Sequence, residues 1–352
     1  MKSPFIYLRG LKHADHTVFC VEEGQKNYYN QQFSARVPYS SGQQIKRSIL
    51  SAVSSCLNES VAPITFNYEI SKKGELGMGE PWSPCDPSFT DQLLGGWMKA
   101  ATGEITLKKR SPLSISAMRP IHPLLATLPK ENITFDRSDN PEHHPVRVRN
   151  TDGKLLTDDE VLEFLRSNNR TLGRRSWIPD QTRAEGLFIY DIAIDLRTLF
   201  TVSINQHEPE ISESILNKLM NNGWKETQNI FGKCIVCPKD RRDNIIDALA
   251  NSLVNWRLTT NQARTFSLME TLAIAISDNA NKVAGAIRAK LCTDTEKQKA
   301  VPVIDDTAGA DLFIALPCDG YIAGVYGTPN ALCDAEDKLK QMMHSFDFEN
   351  QL

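Results

Sequence analysis

Residues 39–57 read Tyr39-Ser40-Ser41-Gly42-Gln43-Gln44-Ile45-Lys46-Arg47-Ser48-Ile49-Leu50-Ser51-Ala52-Val53-Ser54-Ser55-Cys56-Leu57. Ile45, Ile49, Val53 and Leu57 recur at every fourth position, and Leu50 widens the stripe, which is the spacing of an amphipathic helix. Ser41 stands three residues ahead of Gln44, the spacing of a capping box, so the helix is expected to begin there. Upstream, Phe5-Ile6-Tyr7-Leu8 and Thr17-Val18-Phe19-Cys20-Val21 read as strand, with a break expected around Gly10 to Asp15. The chain therefore opens as strand, then helix.

Downstream the pattern weakens. Residues 58–183 hold 11 of the 18 prolines, and regular pairing is not expected to persist through them. One short helix is expected at 157–167, capped by Thr157 with Glu160 three residues on and with Val161, Leu162 and Leu165 inward. Arg166, Arg170, Arg174, Arg175 and Arg183 follow. Order returns at Gly186-Leu187-Phe188-Ile189-Tyr190-Asp191-Ile192-Ala193-Ile194-Asp195, where Phe188, Tyr190, Ile192 and Ile194 alternate as in a strand with one buried face. Helices are expected at 211–222, 240–256 and 331–346, and strands at 231–236 and 268–276. This mixture predicts an α+β fold whose natural core is a ferredoxin-like split β-α-β sheet. The expected division is a core built from 1–57 and 184–352 around an insertion at 58–183.

Composition narrows the function. The chain has 352 residues, 40 Lys and Arg against 43 Asp and Glu, and a formal net charge of −3. A free-standing duplex-DNA binder is usually basic overall, so a nucleic-acid site here must be a local patch. No apolar run approaches the roughly 18 residues of a membrane span, and Met1-Lys2-Ser3-Pro4 opens without an apolar leader, so a cytoplasmic protein is expected. Its eight cysteines are scattered, and free thiols are expected.

Two sets of residues suggest metal or redox chemistry and are better read as ordinary. Cys234-x-x-Cys237 lacks a second ligand pair and follows Phe231-Gly232 in an apolar, strand-like run, which suits buried thiols. His143 and His144 are adjacent on a proline-flanked stretch, where neighbouring side chains diverge. No Gly-rich phosphate loop, nucleophile elbow or HExxH helix occurs. No metal, cofactor or catalytic residue is expected.

The helix start is different. Free N–H groups at a helix N-terminus point at an anion. Ser41 and Gln43 add neutral donors, and Lys46 and Arg47 stand one turn on to neutralise phosphate. A capped helix with solvated basic residues is the plainer alternative.

With Arg36 ahead of it, this segment resembles the helix-one motif of the backbone subunit of CRISPR Cascade-type surveillance complexes, within the RAMP superfamily. Two further stretches agree in order: Glu185 to Leu196, similar to that family's strand after its insertion, and Thr260-Asn261-Gln262-Ala263-Arg264-Thr265-Phe266, similar to its Gln-x-Arg-Thr turn. The resemblance implies a modified RRM-like palm with large finger and thumb insertions. It implies a non-catalytic scaffold that stacks in copies along a CRISPR RNA and presents it for pairing with target DNA or RNA beside other Cascade subunits. It implies an RNA-binding set of Arg36, Ser40, Ser41, Gln43, Lys46, Arg47, Arg174, Arg175, Asn261, Gln262 and Arg264. A guide holder must accept any spacer, so a grip on phosphate and shape is the fitting chemistry. The alternative within the family is a type III-like subunit that cuts target RNA with a loop aspartate, for which Asp136 and Asp180 are the candidates.

Overall fold

The structure, a computed structural model, describes residues 3–19, 24–100, 105–136, 142–173, 175–258, 266–292 and 298–352. The chain is α+β and forms two compact units, one of Met1–Leu128 with Ala184–Leu352 and one of Pro129–Arg183.

The larger unit is built on a central strand, β1 (Phe5–Thr17), between β2 (Ala184–Asp195) and β3 (Thr271–Ser277), all antiparallel. The register places Tyr7 opposite Ala193 and Arg9 opposite Asp191. β4 (Asp311–Ile314) pairs with the far side of β3. The outer side of β2 carries three short segments, Leu113–Ile115, Arg119–Pro120 and Ala126–Thr127. Proline has no N–H for a ladder, and Pro112, Pro120 and Pro123 break this edge into pieces. The break expected near Gly10 is absent, because β1 is paired on both sides through that stretch. Gly10 lies under the Tyr190 ring, where a Cβ would have no room.

Helices α1 (Gly42–Leu57), α2 (Lys239–Asn255) and α3 (Ala331–His344) contribute their apolar stripes to the core beside one face of this sheet. Ile45, Ile49 and Val53 of α1, Leu249 and Leu253 of α2, and Leu339 of α3 join Ile6, Leu8, Phe188, Tyr190, Ile192 and Ile194 there. Each such side chain contributes about 1.5–3 kcal/mol by leaving water. The period-four stripe of α1 and the period-two row of β2 thus meet as their sequences predict.

The start of the insertion differs from the expectation. Leu93, Leu94, Trp97, Leu113 and Met118 belong to the same core, so 58–128 is part of the larger unit. These residues arrive in short pieces such as the six-residue helix Thr90–Gly95, too brief to show a period. Trp97 is fixed by donating Nε1–H to the Glu210 carbonyl at 2.6 Å.

The unit of Pro129–Arg183 pairs strand Lys130–Asp136 with strand Arg175–Thr182. Its helix, Asp158–Ser167, carries the expected box: the Thr157 N–H donates to Glu160 Oε2 at 2.7 Å, and Glu160 N–H donates to Thr157 Oγ1 at 3.4 Å. The inward face expected for it is not formed. None of its residues is buried, and Leu162 and Phe164 are exposed.

Candidate nucleic-acid interface

Ser41 ends an extended stretch at φ −68°, ψ 151°, and its Oγ accepts the Gln44 N–H at 3.3 Å, one half of the expected capping box. Its carbonyl accepts the Ile45 N–H at 3.2 Å. Just ahead, Ser40 exchanges both backbone hydrogen bonds with Met118, each 3.0 Å. Gly42 then presses against the sheet edge, where a Cβ would sit 2.5 Å from the Ile115 carbonyl oxygen. Only glycine allows that approach. The start of α1 is therefore pinned by backbone on one side and by a cap on the other. Among the described residues, nothing accepts from the N–H groups of Gly42 and Gln43. Those are the donors a helix start leaves for an anion.

The side chains here divide into three kinds. Gln43, Arg47 and Arg36 are exposed, and Arg36 donates Nη1–H to Asn27 Oδ1 at 3.2 Å. Lys46 is only partly exposed and turns back to donate to the Gly95 carbonyl at 3.0 Å. Burial pulls its pKa down from 10.5 to about 8. Ser40 is buried, and its Oγ has no partner among the described residues, so it is set to hold the turn rather than to reach a strand of RNA.

In the smaller unit, Arg175 donates Nε–H to Asp136 at 2.7 Å, and this ion pair pushes the guanidinium pKa up. Arg183 pairs with Glu131. Arg174, Asn261, Gln262 and Arg264 lie outside the described residues.

Cys234 and Cys237 are buried free thiols, and burial pushes Cys237 up to about 12. No group of three or more His, Cys, Asp or Glu that could hold a metal occurs among the described residues.

Sequence reasoning passed over two groups. Lys12 is buried in the sheet, donating to Thr271 Oγ1 at 2.8 Å and to the Met269 carbonyl at 3.3 Å, with Nζ 4.9 Å from the Trp256 ring centroid. Burial, with Arg257 nearby, brings its pKa down to about 7. Arg9 and Arg119 meet at Asp191 on the sheet face opposite the three helices. The period-two row Phe5, Tyr7, Arg9 was the signal available for it, since alternate residues of a strand share a face.

No protein-family model matches the chain, and no curated protein matches it. Solved structures do. One, described as a CRISPR RNA-guided surveillance complex, pre-nicking, is 9% identical, covers 97% of this chain and 89% of its own, and has a TM-score of 0.45. Another, described as a CRISPR RNA-guided surveillance complex, is 10% identical, covers 97% and 84%, and has a TM-score of 0.39. With TM-scores under 0.5, neither likeness defines a shared fold.

Proposed function

We propose that the chain is a non-catalytic scaffold that holds a CRISPR RNA by its backbone, stacks in further copies along it and presents its bases to target nucleic acid. The observation that carries this reading is the start of α1. Two N–H groups without an acceptor among the described residues, a glycine pressed to the sheet edge, and exposed Gln43, Arg47 and Arg36 make a grip for phosphate that is blind to sequence.

Two features support the rest of the proposal. The sheet order, from the outer segments through β2 and β1 to β3, with α1 and α2 as the crossovers, suits a split β-α-β palm. The hairpin Tyr68–Ile70 with Leu76–Met78 carries Tyr68, Ile70, Leu76 and Met78 outside the core, an apolar surface suited to a neighbouring copy. As for cutting, Asp136 is engaged by Arg175.

Purification tests the proposal. The expected result is short RNA that co-purifies with the protein, a filament that forms on it, and no cleavage of complementary RNA with added magnesium or manganese. Protein that neither carries RNA nor binds it would overturn the scaffold. Metal-dependent cutting would favour the nuclease.

A further inference from the structure

The hairpin of Ile287–Cys292 and Lys299–Ile304 has two unlike faces, set by its register. Residues directly opposite share a face, and so do alternate residues along a strand. Ile287, Ala289 and Leu291 therefore stand with Ile304, Pro302 and Ala300. Ile287 joins Leu11, Leu187 and Ile189 in a second apolar cluster, with Ile304 packed against it. Leu187 and Ile189 alternate with Phe188 and Tyr190, so this cluster lies across the central sheet from α1, α2 and α3. The other face of the hairpin carries Arg288, Lys290 and Lys299, with Val301 directly opposite Lys290, and all four are exposed. Arg288 is held by Asp305 at 3.0 Å and by the Gly285 carbonyl at 3.1 Å. Lys290 and Lys299 have no partner among the described residues.

The helix layer carries the complement. Between the end of α1 and the outer sides of α2 and α3 runs a groove of about 730 Å³. Leu57, Ile245 and Ala248 supply its apolar lining. Its charged lining is four carboxylates, Glu59, Asp240, Asp247 and Glu336, against the cations Arg241 and Lys340. Lys340 pairs with Glu336 at 2.7 Å and with Asp247 at 3.6 Å, and Arg241 reaches Glu59 at 4.0 Å. Asp247 stays 62% exposed, and Asp240 has no partner among the described residues. Two negative charges are thus left over at the groove, as two positive charges are at the hairpin.

The two surfaces match in kind: an apolar residue among cations, and an apolar lining among carboxylates. They lie on opposite sides of the central sheet, so a hairpin does not enter the groove of its own chain. Different patches on two copies make a heterologous contact, which extends into an open filament where its rotation closes no ring. The groove sits at the far end of α1 from Ser41, and 16 helical residues span about 24 Å, so the contact leaves the phosphate grip free. One face of a short hairpin is small beside the roughly 800 Å² per partner of a standard interface. The contact therefore acts between copies already held on one strand, where their effective concentration is high. We infer that the basic face of this hairpin docks in the acidic groove of the next copy, and that this contact makes binding along RNA cooperative. The inference rests on the RNA-scaffold reading and names the surfaces through which the copies meet.

The test uses the full chain and two labelled RNAs, the shortest that binds one copy and one several times longer. Lys290→Glu with Lys299→Glu reverses the hairpin, and Asp240→Lys with Asp247→Lys reverses the groove. Each double variant is expected to keep its affinity for the short RNA within about twofold and to lose about fivefold to tenfold per copy on the long one, the scale of two exposed ion pairs turned repulsive. An equal mixture of the two variants is expected to recover the loss, because each reversed surface then meets the other. Either variant unchanged on long RNA, or a mixture that does not recover, would overturn the inference. Short-RNA binding weakened by the lysine pair, with no recovery in the mixture, would assign the hairpin to RNA instead. Wild-type protein that binds short RNA without cooperativity on the long one would overturn this inference alone, and protein that binds neither would overturn it together with the scaffold. Should the groove variant fail to fold, carbodiimide crosslinking of wild type on long RNA decides: the expected product joins a peptide holding Lys290 or Lys299 to one holding Asp240 or Asp247 of another copy, and its absence counts against the contact.

Discussion

The chain has two basic regions that look alike in sequence and differ in what the fold makes of them. Between 166 and 183 five arginines crowd a short stretch, yet Arg175 is held by Asp136 and Arg183 by Glu131. At α1 there are fewer cations, but the backbone itself is arranged: a cap, a glycine against the sheet edge, and N–H groups that no described residue accepts from. The difference teaches that a run of cations measures composition, while an anion site depends on which donors remain after the protein has used its own acceptors.

The strongest way to break the comparison is to remove the backbone arrangement without touching a charge. Gly42→Val places a branched side chain against the Ile115 carbonyl, a backbone atom that cannot swing aside. We expect a loss of about 2 kcal/mol in denaturant unfolding, as for overpacked sites, together with loss of RNA retention in the folded fraction. At an unconstrained helix position the replacement of glycine would stabilise, so the sign alone is informative.

Next in size is the side-chain contribution. Lys46→Ala with Arg47→Ala is expected to lower affinity for every RNA sequence alike and to reduce the salt slope by about one or two. A binding titration across salt on unrelated oligonucleotides measures it. Sequence-dependent loss would mean that the helix start reads bases.

Part of this was legible in the sequence and part was not. The α1 stripe and the row Phe188, Tyr190, Ile192, Ile194 were legible because each repeats with the period of its own element. Leu93, Leu94 and Trp97 were not, since they join the core from fragments between prolines. The tether of Lys46 to Gly95 spans 49 residues, and that of Arg9 to Asp191 spans 182, so no local pattern announces either. Lys12 reads as the polar centre of a loop, and only pairing on both sides of β1 makes it a buried cation.

A finer test separates the two cations of α1 by pH. Lys46 in the folded protein titrates at about 8, below its ordinary 10.5, because it is partly buried. Its charge is present below pH 8 and fades above it, whereas Arg47 stays charged. RNA affinity is therefore expected to fall from pH 7 to 9 in wild type and to change less in Lys46→Met. Bound phosphate would move the step upward, since it favours the charged form. Stability runs the opposite way. Between about 8 and 10.5 the unfolded chain binds more protons at this site than the folded one, so the Lys46 contribution to stability rises with pH. An affinity that is flat with pH in both proteins would show that Lys46 takes no part.

The smallest effect is expected in the other region, and it tests the argument from its opposite side. If Arg175 is held by Asp136, Arg175→Ala removes a cation whose charge is already answered, and RNA affinity should change by less than about twofold, the scale of an exposed ion pair. Asp136→Ala should do more, because it releases the guanidinium: affinity should rise by about twofold to threefold and the salt slope should grow by a fraction of one phosphate contact. The two substitutions alter net charge in opposite directions by the same amount, so a response that follows net charge alone would be equal and opposite. An unequal response, weak for the arginine and larger for the aspartate, is what a committed cation predicts. Equal and opposite responses would mean that the exposed pair opens freely in solution and that the arginines of 166–183 act as a diffuse field, which would erase the distinction between the two basic regions.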